Sequence, residues 1–130
     1  MIEFHLDSRS GVPAYLQLVQ QVRQAIRLGI LRPGDQLPTV KDAVAMLTIN
    51  PNTVLHAYRQ LDLEGLVEGR RGVGTFVASG SPPPPVDDLK GLRSSLERWV
   101  ARARAAGLDD EAIRALFAET ARPETVSRVA

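Results

Sequence analysis

Residues 37–77 constrain the fold more than any other stretch, because they combine two helix starts with a glycine-rich segment. Thr39 precedes Asp42 by three residues, a spacing typical of a capped helix start. Asn50 is followed directly by Pro51, and these residues favour the cap and the first position of another helix. Few residues remain between the two helices, so the sequence predicts a pair of short helices joined by a tight turn.

A hairpin is predicted directly after these helices. Residues 66–70 and 75–78 have the composition of short strands, and residues 71–74 form a basic, glycine-rich loop between them. Two helices joined by a tight turn and followed by a hairpin outline a winged helix-turn-helix. We therefore predict a mainly α fold with a small β-hairpin, here called the wing.

The segment before residue 37 is predicted to support this motif. Apolar residues alternate with polar ones over residues 2–7, which indicates either a short strand or an extended arm with one apolar edge. A helix is predicted from Pro13, at its first position, to Gly29. Pro33 and Gly34 then suit a type II turn.

Composition changes after residue 80 divide the chain. We predict a DNA-binding winged helix-turn-helix domain over residues 1–80, a proline-rich linker over 81–87, a helical dimerisation region over 88–120 and a flexible tail over 121–130. The linker contains four consecutive prolines, which favour an extended, semi-rigid spacer. A PxxP ligand for another domain is the less favoured alternative.

Two further helices are predicted in the third of these regions. The first has a coiled-coil-like seam, since its apolar residues recur every three or four positions from Leu89 to Ala106. The second is capped by Asp109. Two helices of this size cannot bury their own apolar faces, so we expect a short two-helix dimerisation tail and a homodimer. The predicted dimerisation residues are Leu89, Leu92, Leu96, Trp99, Ile113, Leu116 and Phe117.

Charge and composition exclude several classes of protein. The net charge is only +1, with eight Lys and Arg against seven Asp and Glu in residues 1–80, so overall charge does not indicate nucleic-acid binding. There is no cysteine, secretory signal or membrane-length apolar run, which favours a cytoplasmic protein without membrane attachment. The two histidines are isolated. We predict no metal site, no cofactor and no catalytic residue.

Polar side chains at the start of the helix after Asn50 are candidates for DNA contact. Asn52, Thr53 and His56 lie off its apolar stripe, and a helix N-terminus favours a phosphate. In the wing, arginine side chains and glycine backbone suit a minor groove. The candidates in the wing are Arg70, Arg71, Gly72 and Gly74, and Lys41 is a further candidate on the preceding helix.

The same residues have a simpler interpretation as caps, solvated surface and an ordinary hairpin turn. The near-neutral charge also leaves open a winged helix used for protein docking without DNA binding. The placement of the polar residues at one helix start, followed by two arginines at a hairpin tip, favours DNA binding. Salt-dependent DNA affinity distinguishes the two functions.

The chain resembles the GntR family of bacterial transcription regulators in three segments: YLQLVQQVRQAI, LRPGDQLPTVKDAVAML and NPNTVLHAYRQLDLEGLVEGRRGVGTFV. Its short tail is similar to that of the YtrA subfamily. The resemblance implies a dimeric winged-helix repressor of its own operon and linked transporter genes. It also implies an inverted-repeat operator, with the third helix in the major groove and the wing in the minor groove. The DNA contacts that it implies are Thr39, Lys41, Asn50, Asn52, Thr53, Arg71, Gly72 and Gly74.

This chain departs from the family pattern at four of its positions. Many members have arginine in place of Lys41, larger branches have it in place of Pro51 and Leu55, and many wings have a basic residue in place of Val73. A lysine is a point charge without the planar fork of arginine. These departures favour weaker guanine readout, with more weight on phosphates and DNA shape.

Two properties of the family bear on catalysis and regulation. Some members are fused to aminotransferase-like domains, but no lysine follows Lys90, so a cofactor Schiff base is not expected. The sequence leaves open whether an unidentified small-molecule effector binds. With so small a tail, a cleft between subunits is the expected place for one.

Overall fold

The computed structural model describes residues 2–80 and 88–123. The predicted linker and residues 124–130 of the predicted tail lie outside the described residues. Two compact units are present, within Met1–Asp87 and Asp88–Ala130. Each unit is described by itself below.

The mainly α fold with a small hairpin is confirmed. Seven elements follow one another: α1 Ala14–Arg27, α2 Val40–Leu47, α3 Pro51–Leu63, β1 Val67–Arg70, β2 Gly74–Val77, α4 Leu89–Ala105 and α5 Asp110–Thr120. The two strands pair antiparallel. Over residues 2–80 and 88–123, no helix is both long and apolar enough to cross a membrane.

The first unit is built around the contact between α1 and α3. Both helices bury an apolar stripe, and the core side chains Leu18, Val22, Val54 and Leu61 are fully excluded from water. Burial of this kind supplies most of the free energy that keeps such helices folded. The core therefore fixes α3, the helix with the candidate DNA contacts, on the rest of the unit.

The N-terminal segment is an extended arm, and the strand alternative is wrong. Phe4 is only 4% exposed and belongs to the core. The main chain of His5 is held by the side chain of Gln21, which accepts from its N–H at 3.1 Å and donates to its carbonyl at 2.6 Å. The prediction of Pro13 at the first helical position is off by one, since Pro13 is the N-cap of α1.

Both predicted caps of the helix-turn-helix are confirmed. The Thr39 hydroxyl oxygen accepts from the Asp42 N–H at 3.1 Å, and Asn50 Oδ1 accepts from the Asn52 N–H at 2.8 Å. The turn between α2 and α3 requires a left-handed residue, Thr48, with φ 55° and ψ 52°. This conformation is costly for a β-branched side chain, so the turn is held by its surroundings.

Tyr58 fixes α3 to the segment before α2. Its hydroxyl donates to the Pro38 carbonyl at 2.5 Å inside the core. Burial, with a smaller contribution from the Asp42 carboxylate, raises the pKa of Tyr58 well above its ordinary value. The phenol therefore stays protonated and keeps its hydrogen bond throughout the physiological pH range.

The wing pairs in the register Val67 with Val77 and Arg70 with Gly74. Gly74 belongs to β2, one residue earlier than predicted. The predicted type II turn anchors the wing: the Arg32 carbonyl accepts from the Asp35 N–H at 3.0 Å, and the Gly34 N–H donates to the Val77 carbonyl at 2.9 Å.

In the second unit, α4 and α5 contact each other. Their caps are Asp88 and Asp109, whose carboxylates accept from the N–H groups of Gly91 and Ala112 at 3.2 and 2.8 Å. Among the described residues of this unit, only Ala103 and Ile113 are buried. The unit therefore leaves most of its apolar side chains in contact with water.

Candidate nucleic-acid interface

The first turn of α3 presents its polar groups to solvent. Asn50 Oδ1 is used as the cap, which leaves the Asn50 amide N–H groups available. The Asn52 side chain is exposed and makes no hydrogen bond within the described residues. A free asparagine amide can both donate to and accept from the edge of adenine. The arrangement is therefore suited to reading a base edge.

Four of the residues predicted on α3 are brought together. They line one open groove of about 320 Å³ together with the start of α1, and its lining residues are Ala14, Tyr15, Asn50, Asn52, Thr53 and His56. The groove combines the polar side chains of α3 with the N-terminal turn of the same helix, and the start of α1 forms its other side. Both features favour an anionic or polar ligand.

Tyr15, in the first turn of α1, is half buried. The Tyr15 and His56 rings stack with centroids 3.7 Å apart and planes 12° apart. The stack holds the His56 ring against α1. Sequence reasoning missed this pair because it joins residues 41 positions apart, and helical periodicity carries no signal for it.

The two arginines of the wing differ in their surroundings. The Arg70 guanidinium lies 4.1 Å from the centroid of the Phe76 ring and pairs with Glu68 at 3.3 Å. Arg71 is exposed, and within the described residues it forms no ion pair. Arg71 is therefore free to pair with a phosphate, whereas Arg70 must first leave its partners on the hairpin.

The start of α2 and the wing share a second, shallow cavity of about 500 Å³, lined by Thr39 and residues 69–75. The Thr39 oxygen is used as a cap, but its hydroxyl hydrogen remains available to an acceptor. The structure therefore brings Thr39 together with Arg70, Arg71, Gly72 and Gly74. Lys41 is exposed but lines neither this cavity nor the groove at α3.

The two glycines of the wing have different structural requirements. Gly72 has φ +75°, and a side chain there would meet open space. Gly74 has φ +144°, and its Cβ would come within 2.6 Å of the Gln36 amide nitrogen. Gln36 also donates to the Val73 carbonyl at 3.3 Å. Gln36 therefore supports the wing from outside the hairpin, a role that the sequence did not reveal.

An ion pair ties the far ends of α1 and α3 together. Arg23 donates to both carboxylate oxygens of Glu64, at 2.7 and 2.8 Å. The Arg23 hydrogen bonds, assisted by Gln60, hold the pKa of Glu64 below its ordinary value. This pair lies on the described surface of the first unit and lines neither of the cavities described above.

The predicted dimerisation residues fall into two groups. Ile113 is buried in the single chain, and Leu89 and Trp99 are half buried. Leu116 and Phe117 are 45% and 50% exposed, and Leu92 and Leu96 are similarly exposed. These four side chains form what we call the open apolar set. They are available to a partner, whereas Ile113 is already covered.

Comparison with known proteins decides the family. The model of the bacterial regulatory proteins of the gntR family matches residues 14–77. A curated relative, the HTH-type transcriptional repressor YtrA of Bacillus subtilis, is 35% identical over 82% of this chain and 82% of its own length. The chain belongs to the gntR family. It is a DNA-binding transcriptional regulator, as the sequence predicted, and the protein-docking alternative is not supported.

Solved structures agree with this assignment. YtrA from Sulfolobus acidocaldarius, a GntR-family transcription factor, is 30% identical and superposes with a TM-score of 0.56 over 77% of this chain and 99% of its own. AraR(DBD) in complex with operator ORX1 is 26% identical and has a TM-score of 0.50, over 60% of this chain and 93% of its own.

Within residues 2–80 and 88–123, no three His, Cys, Asp or Glu side chains cluster so as to hold a metal ion. The relatives described above are named as transcription regulators. The groups that the site offers are hydrogen-bond donors and acceptors, an unpaired Arg71 and a helix N-terminus, which are suited to binding a nucleic acid.

Proposed function

We propose that the protein is a cytoplasmic homodimeric repressor that binds an inverted-repeat DNA operator. The observation that carries this proposal is the N-terminal part of α3, where Asn50, Asn52, Thr53 and His56 line one groove. In the proposed complex this turn enters the major groove, where base edges are distinguishable. The wing lies over the flanking minor groove.

The residues then divide into two roles. Asn52 reads a base edge, because its amide is unengaged in the described chain. Thr39, Lys41 and Arg71 bind phosphates, since each offers a hydrogen-bond donor and the two exposed cations, Lys41 and Arg71, add a positive charge. Gly72 allows the wing backbone to approach the sugar–phosphate chain closely, because it has no side chain and faces open space.

Dimerisation is proposed through the open apolar set on α4 and α5. Four large exposed apolar side chains, two on each helix, are costly to leave in water, and a second copy of the same unit covers them symmetrically. Two-fold symmetry of the protein then calls for two-fold symmetry of the operator. The half-sites should be separated by about one turn of DNA, about 10 base pairs, or by a multiple of it.

The regulated genes are proposed from relatives. The relative from Bacillus subtilis is named as a repressor. We extend this to repression of the chain's own operon and of linked transporter genes, and we place any small-molecule effector in a cleft between subunits. Catalysis is not part of the proposal.

The test is a selection of random duplex DNA by the purified full-length chain at about 0.15 M salt, with sedimentation of the protein and of its complexes. We expect enrichment of an inverted repeat bound by two copies. A reporter carrying the enriched site should lose expression when the protein is present. If no sequence is enriched over the starting library, sequence-specific binding is wrong. If one copy binds a single half-site as tightly as two copies bind the inverted repeat, dimeric recognition is wrong.

A further inference from the structure

Leu55 is an apolar side chain on the polar surface of α3. The residues that α3 buries are Val54, Ala57, Tyr58 and Leu61. Asn52, Leu55 and Arg59 follow one another at spacings of three and four, so they neighbour one another on the surface of the helix. Leu55 is 36% exposed, although the core lies directly beside it. Leu55 is therefore not one of the buried core residues, and part of its side chain is open to a ligand.

We propose that Leu55 is a specificity-determining residue that packs on the 5-methyl group of one thymine in each half-site. The proposal rests on the proposed function, because it requires α3 in a major groove. It goes further by naming the base and the group on that base. It also divides the readout of the DNA bases between two residues: Leu55 makes the apolar contact and Asn52 makes the hydrogen bonds.

The chemistry of the major groove favours thymine at this position. Thymine is the one DNA base that presents an apolar group there, since the others present donors and acceptors. Leucine has no hydrogen-bonding group. A cytosine amine or a purine N7 covered by Leu55 would lose water without gaining a partner, which is unfavourable. Contact with the methyl group instead buries two apolar surfaces together.

The neighbouring side chains leave Leu55 free to make this contact. His56, the next residue, is held against Tyr15 by the ring stack, on the side of α3 that faces α1. Asn52 lies one turn nearer the N-terminus and is exposed. Leu55 therefore follows Asn52 toward the middle of the helix, where the second contacted base pair is expected when the N-terminal turn enters a groove.

The experiment uses the duplex enriched by the random-library selection. Each thymine of the enriched duplex is replaced in turn, in both half-sites, by uracil, which lacks only the 5-methyl group. Affinities for the full-length wild type, Leu55→Ala and Leu63→Ala are then measured at fixed salt. Leu63 is the matched control, because it lies on the same helix, is 85% exposed and is two turns further from the N-terminus.

For the wild type, replacement of one particular thymine per half-site by uracil should lower the affinity. Loss of one buried methyl group corresponds to about fourfold in affinity, or about 15-fold when both half-sites are changed. Leu55→Ala should bind the thymine and uracil duplexes with equal affinity. Leu63→Ala should keep the wild-type ratio of the two affinities. Thermal unfolding of the variants checks that both remain folded.

Three outcomes would overturn the inference. If the wild type binds every uracil duplex as well as the parent, no thymine methyl is read. If Leu55→Ala keeps the wild-type ratio, another residue reads the methyl, or Leu55 faces a different partner. If the library yields no enriched sequence, the proposed function fails and the inference fails with it, an outcome distinguishable from the first two.

Discussion

The two units of the molecule differ in how completely they bury their own apolar side chains. In the first unit, Leu18, Val54 and Leu61 are fully buried, and the arm adds Phe4 to the same core. Over residues 88–123 of the second unit, four large apolar side chains remain exposed and only Ala103 and Ile113 are buried. The first unit has the core of an independent domain, whereas the second leaves apolar side chains exposed that the proposed dimer would cover.

The largest effect is expected in the core of the first unit. Leu61→Ala should lower the free energy of unfolding by about 2–5 kcal/mol, because a fully buried side chain is replaced by a cavity. Denaturant titration followed by circular dichroism measures the loss. Trp99, the single tryptophan, lies in the second unit and reports on it separately by fluorescence. If the circular dichroism and fluorescence midpoints shift equally, the two units unfold together, and the proposed difference in their stabilities is wrong.

A different result is expected for a comparable side chain of the second unit. Phe117→Ala should leave the unfolding of the first unit unchanged but raise the dimer dissociation constant about 100-fold. Each of two copies loses at least about 1.5 kcal/mol of apolar burial at the proposed interface. Sedimentation equilibrium measures the constant. Leu63→Ala, an exposed leucine of the first unit, serves as the control, and equal dissociation constants for the two variants would refute the proposed interface.

The two arginines of the wing show a similar contrast, because Arg70 has partners on the hairpin and Arg71 forms no ion pair within the described residues. Arg71→Ala should weaken binding to every DNA sequence about tenfold and lower the slope of log affinity against log salt by about one per subunit. Arg70→Ala should change this slope less, since its guanidinium is engaged by Phe76 and Glu68. Salt titrations of operator and random duplexes measure both. A larger slope change for Arg70→Ala would show that DNA displaces these wing contacts.

Sequence reasoning succeeded where the determinants are local. The caps at Thr39, Asn50 and Asp109 are decided by residues within three positions, and all three are as predicted. The apolar stripe of α3 follows from helical periodicity alone. The turn at Pro33 and Gly34 follows from the fixed φ of proline and the positive φ of glycine. Such features are available to any reader of the chain.

Features that depend on distant residues were missed. The Tyr15–His56 stack, the Gln36 support of the wing and the position of Arg70 on Phe76 all require the folded chain. The left-handed Thr48 was also missed, because a β-branched residue is among the least expected there. The DNA contacts and the dimer interface stay predictions, since each depends on a molecule outside the chain.

The smallest effect concerns the Arg23–Glu64 pair. It tests whether a surface ion pair adds to the stability that the buried core gives the first unit. The pKa of Glu64 is lowered by Arg23, so the pair stabilises the fold above the ordinary carboxyl pKa and the contribution is lost as pH falls through the lowered value. Both side chains are partly exposed, so the contribution is below about 1 kcal/mol. Arg23→Gln should therefore lower stability slightly at pH 7, with a difference from the wild type that vanishes in acid. Denaturant midpoints measured across this range give the result. A difference that persists unchanged in acid would mean that Arg23 stabilises α1 through packing of its aliphatic chain and not through its charge.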